Sequence, residues 1–258
     1  MLRKRIIFTL IYNQNFFMQS RNFRLQKVGD VTWLEKNYQF QKISFSIDEL
    51  IILNASRGIK LINDFAVTIN QLSNGIFIPI AAGGGIRKLE DAEILFNNGA
   101  DKIVLNHAFI NDITLAEKLI SRYGSQSIIA SIDYKKIEGV NEVLIMNGTQ
   151  RINMTLKDYV RHIENLGVGE IYLNSIDKDG TGFGYDFETI NDLKEQIKVP
   201  LIISGGAGNQ HHLLDGLRVS QVSAVSTANL FNFLGDSLPE ARKKIINEGA
   251  NIASWELS

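Results

Sequence analysis

The chain has 258 residues, 45% of them hydrophobic, with 27 basic and 28 acidic side chains for a formal charge of −1. That length supports one large core, and α/β barrels commonly occupy about 200–250 residues as a single domain. The even charge balance gives no reason to expect a nucleic-acid partner, and the absence of cysteine excludes disulfides, thiolate metal sites and cysteine nucleophiles.

At the N-terminus, Arg3-Lys4-Arg5 precedes an apolar run from Ile6 to Ile11. A secretory signal needs about 7–15 apolar residues and a small-residue cleavage site, so this run is too short. No stretch reaches the roughly 18 apolar residues of a membrane span. A cytoplasmic chain is expected, folded as one domain over residues 1–258.

Short β-branched runs then alternate with helix-patterned segments. Buried parallel strands are predicted at 5–10, 50–53, 78–82, 103–106, 127–133, 171–174, 201–204 and 224–228, because apolar character is nearly continuous there. Residues 12–27, rich in Asn, Gln, Phe and Arg, read as a long irregular loop after the first strand. Helical spacing of apolar residues marks 59–72, 89–96, 115–123 and 156–166. Gly99, Gly124 and Gly167 stand where helices stop. Eight βα units in this order predict a (β/α)₈ barrel, with an open doubly wound sheet as the alternative.

Gly83-Gly84-Gly85 closes the third strand and Gly205-Gly206-Ala207-Gly208 the seventh, an offset of 122 residues. The same offset brings Ala108-Phe109 onto Leu230-Phe231 and strand 103–106 onto 225–228. This self-similarity predicts two half-barrels and weighs against an open sheet. Glycine-rich turns at the strand ends let backbone N–H groups approach an anion, and the following loop adds donors. Gly84, Gly85 and Asn106 form one candidate phosphate site; Gly206, Ala207, Ala228 and Asn229 form another. Two such sites on opposite sides of the mouth predict a ligand phosphorylated at both ends. The duller alternative is that the glycines serve tight turns only.

These strings carry a resemblance. Lys4-Arg5-Ile6-Ile7, Asp48-Glu49-Leu50, Gly83-Gly84-Gly85-Ile86 and Gly99-Ala100-Asp101-Lys102 run in order with Ser131-Ile132-Asp133. The most specific are Ser175-Ile176-Asp177-Lys178-Asp179-Gly180-Thr181 and Ser204-Gly205-Gly206-Ala207-Gly208. Together they resemble the cyclase subunit of imidazole glycerol phosphate synthase over nearly the whole chain. The resemblance implies a glutaminase partner at the N-terminal face of the barrel, ammonia passing through the barrel, and a phosphorylated substrate at the C-terminal mouth. It implies an ammonia entrance formed by Arg5, Glu49, Lys102 and Glu170, a partner contact at Asp101, and substrate contacts near one phosphate from Asp179 and Gly180. It implies neither cofactor nor metal.

The family reaction uses two aspartates as general acid and base. Asp133 matches one; the repeat maps the other onto Ile11, which carries no proton. Losing such a group typically costs about 10²–10⁴-fold in rate. The family's substrate-holding lysine falls at Gln19, a strand-two aspartate at Asn54, and two hydroxyl residues at His107 and Asn229. Entrance and glycine loops persist while the first-strand acid does not. The chain therefore looks like a paralogue associated with surface-glycan synthesis, in which ammonia serves amidination alongside a sugar amidotransferase. An ordinary cyclase of histidine biosynthesis and a non-catalytic ammonia conduit stay open as alternatives. On the residues alone, Asp133 also reads as a loop-capping carboxylate and Asp179-Gly180 as a turn. His107 reads as an incidental loop histidine, and His211-His212 lacks the companions of a metal site.

Overall fold

The computed structural model describes residues 3–38, 43, 45–58 and 60–254. The chain opens with β1 (Arg5–Asn13), β2 (Phe16–Arg21), β3 (Arg24–Gly29) and α1 (Val31–Tyr38). It continues through β4 (Glu49–Asn54), α2 (Ile62–Ser73), β5 (Ile80–Gly83), α3 (Leu89–Asn97), β6 (Lys102–Leu105), α4 (Ala108–Asn111) and α5 (Ile113–Tyr123). Then come β7 (Ile128–Ile137), β8 (Val140–Ile145), β9 (Gln150–Thr155), α6 (Leu156–Asn165), β10 (Glu170–Ser175) and α7 (Phe187–Leu193). The last elements are β11 (Leu201–Ser204), α8 (Gln210–Arg218), β12 (Val222–Thr227) and α9 (Ser237–Asn247). The expected helix start at Ile59 lies outside the described residues; the helix itself begins at Ile62.

Strands β1, β4, β5, β6, β7, β10, β11 and β12 pair in parallel, and β12 returns to β1, so the sheet closes into the expected (β/α)₈ barrel. Their side chains point alternately inward and outward. Ile7, Ile51, Ala81, Val104, Ile129, Tyr172, Ile202 and Ala224 fill the interior, while a second, larger apolar layer lies between barrel and helices. Helix α6 shows how such a layer forms. Leu156, Tyr159, Val160 and Ile163 fall on one face at helical spacing and are buried, and the Thr155 hydroxyl caps the first turn by accepting from the Asp158 N–H at 3.1 Å. Each fully buried aliphatic side chain contributes about 1.5–3 kcal/mol relative to exposure. Gly99, Gly124 and Gly167 have φ of 101°, 83° and 82°, the left-handed stop expected of them. Among the described residues, no helix is long and apolar enough to cross a membrane.

Residues 12–27 are not an irregular loop. They complete β1 and form the hairpin β2–β3, with Asn13 opposite Phe16 and Arg21 opposite Arg24. A second hairpin, β8–β9, extends β7 beyond Asp133 in the same way. The two half-barrels thus each carry a hairpin extension over the mouth.

The repeat holds, with one correction to its register. Tyr12 pairs with Asn54, and Tyr134 with Ser175, so β1 and β7 correspond at an offset of 122 whereas β4 and β10 correspond at 121. Leu53 pairs with Gly83, and Asn174 with Ser204, which carries the 121 offset into β5 and β11. A bulge restores the missing residue in β12, where Leu201 faces Val222 but Ile202 faces Ala224. Gly84 and Gly85 therefore correspond to Gly205 and Gly206, one residue away from the ungapped pairing, and Ala207 corresponds to Ile86.

Candidate active site

At the N-terminal end of the barrel, Arg5, Glu49, Lys102 and Glu170 each begin a strand and meet in one ring. The Arg5 guanidinium donates to Glu49 at 2.6 Å and to Glu170. The Lys102 ammonium donates to Glu49 at 3.1 Å and to Glu170 at 2.6 Å. Burial of charge is costly unless it is paired, and here every charge has two opposite neighbours. Burial pushes the Glu49 carboxyl up despite both cations. At Glu170 burial also pushes up, but the Arg5 hydrogen bond and the two positive charges outweigh it and hold this carboxyl low. Beside the ring, Asp101 is exposed, and its carboxylate accepts from the Ile80 N–H at 2.8 Å, which fixes the start of β5.

At the opposite end lies a cavity of about 320 Å³, lined by Ile11, Lys60, Gly84, Gly85, His107 and Asp133 among others. Asp133 is 9% exposed, and its two carboxylate oxygens accept from Asn174 Nδ2 at 3.0 Å and Asn106 Nδ2 at 3.1 Å. Burial raises this carboxyl to about 6, with the Asp179 charge adding to the rise and the two amides opposing it. A group poised there can hold or release a proton near neutral pH. Asn106, expected at a phosphate, lines this cavity and directs its amide at Asp133 and at the Ser131 carbonyl, 3.0 Å away.

Ile11 lines the same cavity in the other half of the barrel. It pairs with Leu53 on β4, as Asp133 pairs with Asn174 on β10, so the two residues occupy equivalent places. No acid stands in for it among the described residues lining its side of the cavity. The sequence reading missed the basic rim of this cavity: Arg57, Lys60 and Arg87. The Lys60 ammonium donates to the Asn54 carbonyl at 2.7 Å, and burial followed by repulsion from Arg87 lowers it to about 8. His107 is likewise held low, by burial and then by the positive charges of Lys60 and Arg87. Only their positions on the loops after β4 and β5 could have marked these residues out.

The second glycine turn borders a pocket of about 20 Å³, lined by Gln19, Asp179, Gly180, Gly206, Ala207, Ala228 and Asn229 among others. The Asp179 carboxylate accepts from Ser20 Oγ at 2.5 Å and from the Phe23 N–H at 3.0 Å, which ties the β2–β3 hairpin down. Gln19 Oε1 accepts from the Leu230 N–H at 2.9 Å. His211-His212 lies in the first turn of α8, where Asn209 Oδ1 accepts from both backbone N–H groups.

A family model described as "Histidine biosynthesis protein" matches residues 24–235. The chain belongs to that family. Its HisF-like character extends over the full length. It is 45% identical, over 100% of this chain and 96% of the relative, to a protein of Parasynechococcus marenigrum (strain WH8102) provisionally named imidazole glycerol phosphate synthase subunit hisF2. It is 33% identical to imidazole glycerol phosphate synthase subunit HisF of Chlorobaculum parvum over 96% of this chain and 98% of the relative. It is 32% identical to the HisF subunit of Thermotoga sp. (strain RQ2) over 98% of both chains. This HisF-like chain carries Ile11 and Gln19 in the mouth and an intact charged ring at the floor.

Proposed function

We propose that this HisF-like subunit docks a glutaminase at the N-terminal face of the barrel, around Asp101, and takes its ammonia through the ring of Arg5, Glu49, Lys102 and Glu170. Neutral ammonia crosses the apolar interior layer, where a charged ammonium ion is disfavoured. At the mouth it meets a phosphorylated acceptor other than the substrate of the ordinary cyclase. The acceptor belongs to surface-polysaccharide sugar synthesis, where an amide oxygen is replaced to give an amidine, with a sugar amidotransferase as third partner.

The observation that carries this reading is the contrast between the intact ring and Ile11. The ring joins strands of both halves in four short ion pairs, whereas the position equivalent to Asp133 holds an isoleucine. Asp133 supplies one proton-carrying group in the mouth, Gly84 and Gly85 supply close backbone approach, and Lys60 and Arg87 supply positive charge. The second reading, an ordinary cyclase, is favoured by the HisF names of the relatives and by the retained Asp133, and it is opposed by Ile11.

The deciding experiment is cyclase turnover with the family's bisphosphate substrate and saturating ammonium salt, which removes the need for a glutaminase. The expected result is turnover at least about 10²-fold below that of an ordinary cyclase, partly restored by Ile11→Asp with Gln19→Lys. Turnover at an ordinary rate in the unmodified protein overturns the proposal and supports the second reading. No turnover even in the double variant leaves ammonia conduction without chemistry in the barrel.

A further inference from the structure

The two glycine turns match in backbone but not in what surrounds them. Gly84 and Gly85 have φ of 95° and 92°; Gly205 and Gly206 have 92° and 107°. A Cβ on Gly84 would sit 2.3 Å from the Asn54 carbonyl oxygen, and one on Gly205 would sit 2.5 Å from that of Ser175. The scaffold thus offers the same cradle twice.

Around the first cradle stand Arg57, Lys60 and Arg87, and among the described residues none of their side chains has a carboxylate partner. Like charges gathered with no carboxylate within ion-pair reach call for an anion. Burial, and after it repulsion among these positive charges, lowers the proton affinity of Lys60 and His107.

Around the second cradle the donors of the following loop are used. Among the described residues no lysine or arginine lines this pocket. Lys178 stands beside this turn, its own Cβ 3.2 Å from where a Gly206 Cβ would lie. The Leu230 N–H donates to Gln19, the Asn229 N–H to Thr227 Oγ1 at 3.3 Å, and the Phe231 and Asn232 N–H groups to Asn229 Oδ1 at 3.1 and 3.0 Å. The Gly208 N–H donates to His212 Nδ1 at 3.2 Å. The space left beside this turn is about 20 Å³, room for a water or two.

We infer that the mouth takes a ligand with a single phosphate, bound at Gly84-Gly85 under Lys60 and Arg87, and that the second site is closed by Gln19 and by the loop's own side chains. This replaces the doubly phosphorylated ligand suggested by the glycine repeat. It rests on the reading that the mouth binds a phosphorylated ligand, and it holds whichever reaction follows. The body of the ligand lies against Ile11, Leu53 and Val104, with Asp133 as the polar contact on the far side.

The test is calorimetric titration of the full chain with inorganic phosphate, then with propyl phosphate and propane-1,3-diyl bisphosphate. The expected result is one phosphate per chain and affinities for mono- and bisphosphate within about threefold, since a second phosphate without a site adds no effective concentration. Lys60→Met and Arg87→Ala should each weaken phosphate at least about tenfold, the scale of one charge-assisted contact. Two phosphates per chain, or a bisphosphate gain beyond about tenfold, overturns the single-anion inference while the phosphorylated-ligand reading stands. Absence of any phosphate binding overturns both.

Discussion

The two halves of the barrel share a backbone and divide the chemistry between them. In the first half, Ile11 takes the place of an acid while Lys60, Arg87 and Arg57 surround an open cavity. In the second half, Asp133 supplies a buried titratable carboxyl while Gln19 and Asp179 line the pocket at the glycine turn. A duplicated fold can lose one function from each copy and still keep a complete mouth, because the strands that face one another across the barrel belong to different copies. Symmetry in the scaffold therefore says little about symmetry in the ligand.

The floor gives the strongest test of how far the halves depend on each other. Glu49 and Glu170 are equivalent by the 121 offset, yet both cations that hold them, Arg5 and Lys102, come from the first half. Glu49→Ala or Glu170→Ala leaves both cations short of one partner and should cost about 3–5 kcal/mol by urea denaturation. A markedly smaller loss for either would mean that its half closes without the ring.

The mouth gives the next. Asp133 titrates near 6 in the folded chain, above the unfolded carboxylate value of about 3.9. The native state thus binds the extra proton between about pH 4 and pH 6, so stability falls as pH rises through that window. The fall attributable to this group is roughly 3 kcal/mol, and it should be absent when Asp133→Asn is compared with the parent across pH 4 to 7. Parallel pH profiles for the two proteins would remove Asp133 as the proton carrier. Ile11 in the other half has no such signature.

The glycine turns should respond alike, whatever their ligands. Gly84→Ala and Gly205→Ala each force a Cβ against a carbonyl oxygen at positive φ, and each should cost about 2–3 kcal/mol in the same denaturation assay. A large difference between them would break the backbone equivalence on which the comparison rests. The smallest effect belongs to the helices that follow. Helix α3 is capped by Asp91, whose carboxylate accepts from the Arg87 and Lys88 N–H groups at 2.8 and 3.2 Å, and α8 by Asn209. Asp91→Ala and Asn209→Ala should each lower stability by about 1 kcal/mol.

The eight strands were legible in the sequence because parallel strands are apolar on both faces, whereas the four charges at strand starts were marked out by the family resemblance. The hairpins were harder to read. Gln14-Asn15, Asn22-Phe23 and Glu138-Gly139 are two-residue loops with positive φ at both positions, a geometry that favours Asn-Gly. Asn22-Phe23 lacks the glycine, and Gln14-Asn15 has its asparagine second, so the turn signal was weak there. Glu138-Gly139 carried a usable signal between Ile137 and Val140. Lys60 and Arg87 were invisible because loop cations have no period, and only the closed barrel brings them together. The one-residue slip of the repeat was hidden because a bulge in β12 cancels it farther along.

The β2–β3 hairpin belongs to the first half by sequence, yet it is fastened to the second. Ser20 and Phe23 donate to the Asp179 carboxylate, the Asn22 N–H to the Asp179 carbonyl, and the Asn22 amide to the carbonyls of Ile176 and Asp177. Half-barrels are natural units for shuffling, and a cut near Gly124 would look clean by chain order. A chimera made there would inherit the hairpin from one parent and its anchor from the other. The recombining block in this protein is the hairpin together with residues 176–179, so a successful exchange has to carry both pieces across.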